Sequence, residues 1–278
     1  MNHVSSSPHP PDPWHGLRTE LRGLALLAGG RWGIVFRDVT SGDGVELGGD
    51  EVFPGASISK VALLIEALRQ AEAGMLGLDE EVVVDVEDDE NARLGSGILI
   101  HLHRGLRVTV GDLCELAINL SDNVASNLLI QRVGLDAVNR TLSELGLKST
   151  RLNHGFEDFV ALRSPECNPV TASDLACLFE HLHRGDLPGS KAVLGYLGRC
   201  SAGTRIPLLL PDSAKVYHKT GTLRGIVHDG GVILGPGGAY VLVCLSSHGD
   251  NNVVATHAIA QMSRAAWRAF SAAHPDEP

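Results

Sequence analysis

Apolar positions follow two different periods along the chain, and the periods are segregated. Leu17, Leu21, Leu24 and Leu27 fall near helical spacing, and Gly29-Gly30 ends that run, predicting a helix over 14–27. Trp32, Ile34 and Phe36 then alternate with Gly33, Val35 and Arg37, which predicts a strand over 31–39. Ser41-Gly42-Asp43-Gly44 reads as a turn, and 45–47 as the returning arm of a hairpin. After Pro54-Gly55 the helical period takes over, with helices expected from Ser57 to about 73 and over 109–120, 124–133, 135–145, 171–183 and 191–198. Thr109 or Asp112 is placed to cap the second of these, and Thr171 with Asp174 resembles a capping box. Residues 78–86 read as a short extended segment, and the acidic run 87–90 as a solvated loop. The stretch 151–170 has no clear period, and irregular segments that long are generally functional or unstructured. Strands return over 214–217, 226–234 and 239–247, the last two joined by Gly235-Pro236-Gly237-Gly238, and an amphipathic helix over 253–270 closes the chain.

Strands at both ends therefore enclose a helical middle. Strands need partners, so the natural closure is one antiparallel sheet built from both chain ends and flanked by the terminal helices, with an all-helical lobe beside it. The expected class is α/β in the α+β sense. The expected limits are a leader over 1–13 and one domain over 14–274, with sheet parts 14–56 and 212–274 and a helical part 57–211. Ser57 lies on the seam between them, where pockets tend to form.

Composition narrows the function. With 44% hydrophobic and 20% charged residues in 278, the chain is an ordinary globular protein. A formal charge of −10 argues against nucleic acid or an anionic membrane surface as partner. No apolar run is long enough to span a bilayer. The N-terminal residues lack a basic start and an apolar core, so they read as a disordered leader rather than a secretory signal, and a cytoplasmic location is expected. The five cysteines are widely spaced with no Cys-x-x-Cys pair, which predicts reduced, mostly buried thiols.

The chemistry is concentrated in three short motifs. Ser57 and Lys60, in Ser57-Ile58-Ser59-Lys60, share a helix face just after a chain break. A helix N-terminus favours the negative charge of an attacking alkoxide. Lys60 is followed by Val61, Ala62, Leu63, Leu64 and Ile65; burial there lowers a lysine's pKa and suits it to act as base. Ser121-Asp122-Asn123 lies between two helices, offering a hydroxyl and an amide as well as a helix cap. His218-Lys219-Thr220-Gly221-Thr222 is expected to end a strand, with Lys219 supplying positive charge to a substrate carboxylate and Gly221 permitting close approach of substrate backbone. Each motif alone has an ordinary structural explanation, as cap, turn or edge-strand lysine.

In this order, the three motifs resemble those of penicillin-binding proteins and class A β-lactamases, and the resemblance covers roughly 14–270. It implies acyl transfer without metal or organic cofactor, on a small molecule bearing an amide or ester carbonyl. Ser57 would attack and Lys60 take its proton. Ser121 would relay a proton to the leaving nitrogen. Lys219 would polarise Ser121 and attract a carboxylate. Asn123 would hold the substrate or steady Lys60. Backbone N–H groups of Ser57 and Thr222 would form the oxyanion hole, with Thr220, Gly221, Thr222 and Arg224 at the carboxylate end. The protein is expected to act as a monomer.

The chain departs from the family in its irregular loop. Class A enzymes carry Glu-x-x-Leu-Asn there, whose glutamate activates the deacylating water. Here Phe156 takes the glutamate position and no Leu-Asn follows; Glu157, one residue on, is the candidate base, with Asp158 and Glu166 behind it. Many class A enzymes also pair a cysteine where Cys114 stands, but the matching position holds Leu64. These departures keep an esterase, amidase or D,D-peptidase-like enzyme in view, and a non-catalytic sensor of β-lactams or peptidoglycan fragments behind it. A metal hydrolase is the weakest rival. It rests on His-Leu-His-Arg-Gly repeated at His101 and His181; the second copy lies at an expected helix end, where residues two apart face different ways. His228 is expected to be structural rather than part of the site.

Overall fold

The computed structural model describes residues 12–85, 96–156, 167–247 and 251–275. The expected leader lies outside these apart from Asp12 and Pro13, as do the acidic run 87–90, Glu157, Asp158 and Glu166.

Helix α1 (His15–Ala28) leads into strands β1 (Arg31–Asp38) and β2 (Gly44–Leu47). The chain returns to the sheet only at β7 (Lys215–Leu223), β8 (Ile226–Gly235) and β9 (Gly238–Ser247), and closes with α8 (Asn252–Ala273). The five strands lie in the order β2-β1-β9-β8-β7, every neighbour antiparallel. Both chain ends meet where β1 pairs with β9, Arg31 opposite Ser247 and Asp38 opposite Tyr240. The expected sheet is therefore present.

Strand alternation divides the core in two. Ile34, Phe36, Tyr240, Leu242 and Cys244 face the terminal helices with Trp14, Leu21, Ile259 and Phe270. Phe36 meets Trp14 edge-on at 4.7 Å and Tyr240 at 5.3 Å, the tilted arrangements aromatic rings prefer. Val35, Val241, Val243 and Leu245 face the other way, into the core of the helical lobe.

That lobe is built around α2 (Lys60–Glu72), with every residue from Lys60 to Leu68 buried. A helix surrounded on all sides has no polar face, which explains the unbroken apolar run after Lys60. Packed around it are α3 (Val110–Asn119), α4 (Asn123–Val133), α5 (Leu135–Glu144) and α7 (Ser190–Leu197), while α6 (Ala172–Arg184) packs on α7 and on strands β1, β8 and β9. Two small ribbons complete it: β3 (Phe53–Pro54) with β6 (Pro169–Val170), and β4 (Glu81–Val84) with β5 (Leu106–Thr109).

Two local expectations change. Thr171 caps α6 by accepting from the Asp174 N–H at 3.1 Å, but the Asp174 carboxylate does not return to the cap. It accepts instead from the backbone N–H groups of Lys148, Ser149 and Thr150 and pins that loop. The second change concerns β7, which runs on through Leu223, so Lys219-Thr220-Gly221-Thr222 lies within a strand rather than after one. Pairing along its whole length with β8, Lys219 opposite Gly230 and Gly221 opposite His228, extends it.

Candidate active site

Ser57 sits on a 3₁₀ turn (Ala56–Ser59) that feeds directly into α2. Ahead of it, the Gly55 N–H donates to the Asn168 carbonyl at 2.9 Å, tying the turn to the end of the irregular loop. Ala56 holds a left-handed φ of 47°. Ser121 (57°) and Asn168 (41°) do the same, and all three border this site. Such residues cost on the order of 1–2 kcal/mol each and persist only where the surroundings impose them. The turn lies against β7: a Cβ on Gly221 would come within 3.0 Å of the Gly55 carbonyl and 3.1 Å of the Ile58 nitrogen. Glycine at 221 is thus demanded by the approach of the Ser57 turn itself, beyond any demand a substrate makes. Ser57 remains partly exposed.

Lys60 opens α2 and is 1% exposed. Its Nζ donates to the Ser121 carbonyl at 2.5 Å and to Asn123 Oδ1 at 2.8 Å, and lies 4.6 Å from the centre of the Phe156 ring. Burial and then the positive charge of Lys219 hold its pKa well below 10.5, against the opposing pull of Asp122. A lysine so placed is suited to exist as the neutral amine and to accept a proton.

Ser121 and Asn123 are presented by a chain reversal that Asp122 fixes. Asp122 Oδ1 caps α4 by accepting from the Ala125 N–H at 2.9 Å. Its Oδ2 accepts from Ile98 and Leu99 at 2.6 and 2.9 Å, binding the 96–101 segment to the same point. The Asn123 amide donates to the Phe156 carbonyl at 3.0 Å, while the Phe156 N–H donates to Asn127 Oδ1 at 2.8 Å. The middle residue of the motif is therefore structural, and its two neighbours face the site.

From β7, Lys219 reaches across: its Nζ donates to Ser121 Oγ and to the Thr220 carbonyl, both at 3.1 Å. Burial lowers its pKa to about 8, opposed by the negative charges of Cys200 and Asp229. Thr222 is exposed, and its Oγ1 accepts from Arg205 Nη2 at 2.6 Å. Arg205 was not apparent from sequence. It stands in the loop before β7, almost fully buried, with Nη1 donating to the carbonyls of Gly221 (3.1 Å) and His228 (2.6 Å). Arg224 is exposed in the turn between β7 and β8.

Ser57, Lys60, Ser121, Asn123, Lys219, Thr220, Gly221 and Thr222 thus belong to one junction, while Glu157 falls outside the described residues. Phe156 is 3% exposed and covers Lys60 with a ring. His228 is buried and structural: its Nε2 donates to the Pro54 carbonyl at 2.8 Å, and its Nδ1 accepts from the Ser246 N–H at 3.2 Å. Among the described residues, no three of His, Cys, Asp and Glu gather as metal ligands. No described helix is long and apolar enough to cross a membrane.

Known proteins resemble this chain in sequence and fold. The chain is 31% identical to a β-lactamase of Streptomyces albus G over 236 residues, 80% of this chain and 74% of that one. A β-lactamase from Sphaerobacter thermophilus superposes with a TM-score of 0.85 at 32% identity, covering 93% of this chain and 98% of that one. An acyl-enzyme complex of a PBP-A mutant with penicillin G superposes at 0.83 and 27% identity, covering 95% and 100%. The model of the β-lactamase enzyme family matches residues 16–270, and the chain belongs to that family.

Proposed function

We propose that the protein is a serine hydrolase that opens β-lactam rings through an acyl-enzyme on Ser57. One observation carries this: Lys60 and Lys219, both buried, converge on Ser121 beside the Ser57 turn, one at its carbonyl and the other at its hydroxyl. Lys60 takes the Ser57 proton as Oγ bonds to the carbonyl carbon. Charge developing on the carbonyl oxygen is met by the N–H groups of Ser57 and Thr222. Ser121 then passes a proton to the departing nitrogen as the carbon–nitrogen bond breaks. Lys219 and Arg205, with Thr220 and Thr222, attract the substrate carboxylate. Arg224 stands farther along the hairpin as an outer contact. A monomer is the proposed working unit.

Phe156 favours a second reading for the later half of the cycle. With a ring against Lys60, a carboxylate able to activate water must come from elsewhere; Glu157 is the proposed source. Without one, the enzyme acylates readily and releases slowly, as a D,D-peptidase-like enzyme does with β-lactams. The test is intact mass after incubation with a fluorescent penicillin and with a p-nitrophenyl ester. A Ser57-dependent adduct is expected, with turnover measuring deacylation; no adduct and no turnover with either compound would overturn the serine mechanism.

A further inference from the structure

Lys219 and Arg205 stand on different segments, yet each is next in sequence to a partner of the same buried acid. Asp229, on β8 and fully buried, accepts at Oδ1 from His218 Nδ1 at 2.8 Å. His218 precedes Lys219 on β7 and is 2% exposed. The other oxygen, Oδ2, accepts from the Ile206 N–H at 3.0 Å. Ile206 follows Arg205 and opens a 3₁₀ turn (Ile206–Leu209) that packs on α8. Its carbonyl in turn accepts from Ser263 Oγ of α8 at 2.8 Å. The loop that carries Arg205 is therefore held on both sides of Ile206, to the sheet and to a terminal helix. A carboxylate taken wholly out of water is costly unless it is well paired. Here its two oxygens are committed one to each segment.

We propose that Asp229 is a positioning residue: through His218 and Ile206 it sets the spacing of Lys219 and Arg205, and with it a preference for substrates that carry a carboxylate. This rests on the reading of those two cations as the carboxylate site.

The connection has little slack. A shift of the Ile206 N–H moves the Arg205 backbone directly. Contacts of Arg205 with Gly221, His228 and Thr222 fix only the far end of its guanidinium, and its Nε has no partner among the described residues. Asp229 therefore holds the near end. The charges agree with this geometry. Burial would lower the His218 pKa, but the charge and hydrogen bond of Asp229, together with those of Cys200, raise it to about 10. The His218–Asp229 contact is thus a charge-assisted bond at neutral pH. Burial also opposes the charges on Lys219 and Arg205, and the negative charge of Asp229 supports both.

The test compares two substrates on the full-length protein: a fluorescent penicillin, which carries a carboxylate, and an uncharged p-nitrophenyl ester. The half-saturating concentration and limiting rate of acylation are measured for each. Asp229→Asn keeps the side chain's shape but offers one acceptor oxygen where two are used. It is expected to raise the half-saturating concentration about tenfold for the penicillin and less than about twofold for the ester. Limiting rates should fall alike for both, since Lys219 also serves Ser121. In an Arg205→Lys background the same substitution should raise the penicillin value less than about twofold further, because the two residues act as one unit. Equal rises for both substrates, or full addition to Arg205→Lys, would make Asp229 a support of the sheet alone and overturn the proposal. If Asp229→Asn does not fold, Ser263→Ala decides: it releases the other side of Ile206 and should raise the half-saturating concentration for the penicillin alone. No such selective rise would overturn the proposal. Failure of the carboxylate reading appears in a different protein, as Arg205→Lys affecting both substrates equally, and failure of the hydrolase reading as no adduct on the wild type. Either would take this proposal with it.

Discussion

The Phe156 ring stands 4.6 Å from Lys60 Nζ, and the Phe156 carbonyl accepts the Asn123 amide that shares that same lysine. An apolar side chain thus covers this flank of Lys60. Phe156→Glu should shorten the life of the penicillin adduct about tenfold or more relative to Phe156→Leu, the lower end of what a positioned base contributes. Decay of the adduct by intact mass measures it; equal lifetimes would show that this flank does not govern release.

Acylation should follow a bell-shaped pH profile. It needs Lys60 neutral, which holds to pH values well below 10.5, and Lys219 charged, which is lost as pH rises through about 8. Lys219→Arg keeps a positive charge at all these pH values and should move the alkaline limb upward by a unit or more. Rates of fluorescent-penicillin labelling between pH 5 and 10 test this, and an unmoved limb would assign it to another group.

Arg205 should act on binding more than on chemistry. Arg205→Lys loses the forked contact to Gly221, His228 and Thr222, and should raise KM for a carboxylate-bearing substrate about tenfold with a smaller change in kcat. An ester substrate without a carboxylate should show little of the KM effect. Equal effects on both substrates would make Arg205 a support for β7 alone.

Much of the fold was legible because its signals are local. The alternation Trp32, Ile34, Phe36 and the capping residues Thr109 and Thr171 mark their elements without reference to anything distant. The three motifs marked which residues would gather. Arg205 was not legible, because it meets Thr222 through a loop whose path depends on α7 packing against β7. Phe156 was visible as a departure from the family, but its contact with Lys60 depends on how Asn127 and Asn123 hold the loop. The Asp174 carboxylate misled for a similar reason: a better set of donors, three consecutive backbone N–H groups, lay far away in sequence.

Stability of the helical lobe should depend on a buried acid within α2. The Glu66 carboxylate accepts from Arg69, Gln70 and Thr141. Burial alone would raise its pKa, but those hydrogen bonds and the Arg69 charge bring it below 4.5. Its contribution is therefore present above the unfolded value and lost as pH falls through the folded one. Glu66→Ala should cost about 3 kcal/mol, since it strands the Thr141 hydroxyl and the Arg69 guanidinium. Urea unfolding at pH 7 and pH 3.5 checks both claims; the gap between wild type and variant should narrow at the lower pH.

The pairing of β1 with β9 bears on when the enzyme becomes active. Ser57 and Lys60 belong to the first quarter of the chain, yet their turn rests on Gly221, and Lys219 arrives only with β7. Contacts of such long sequence separation form slowly and late. A ribosome-bound chain that has made the nucleophile and its base is still without β7, β8 and β9 to set them. The same topology that lodges the site between sheet and helices keeps the protein chemically silent until its last third has been synthesised and folded.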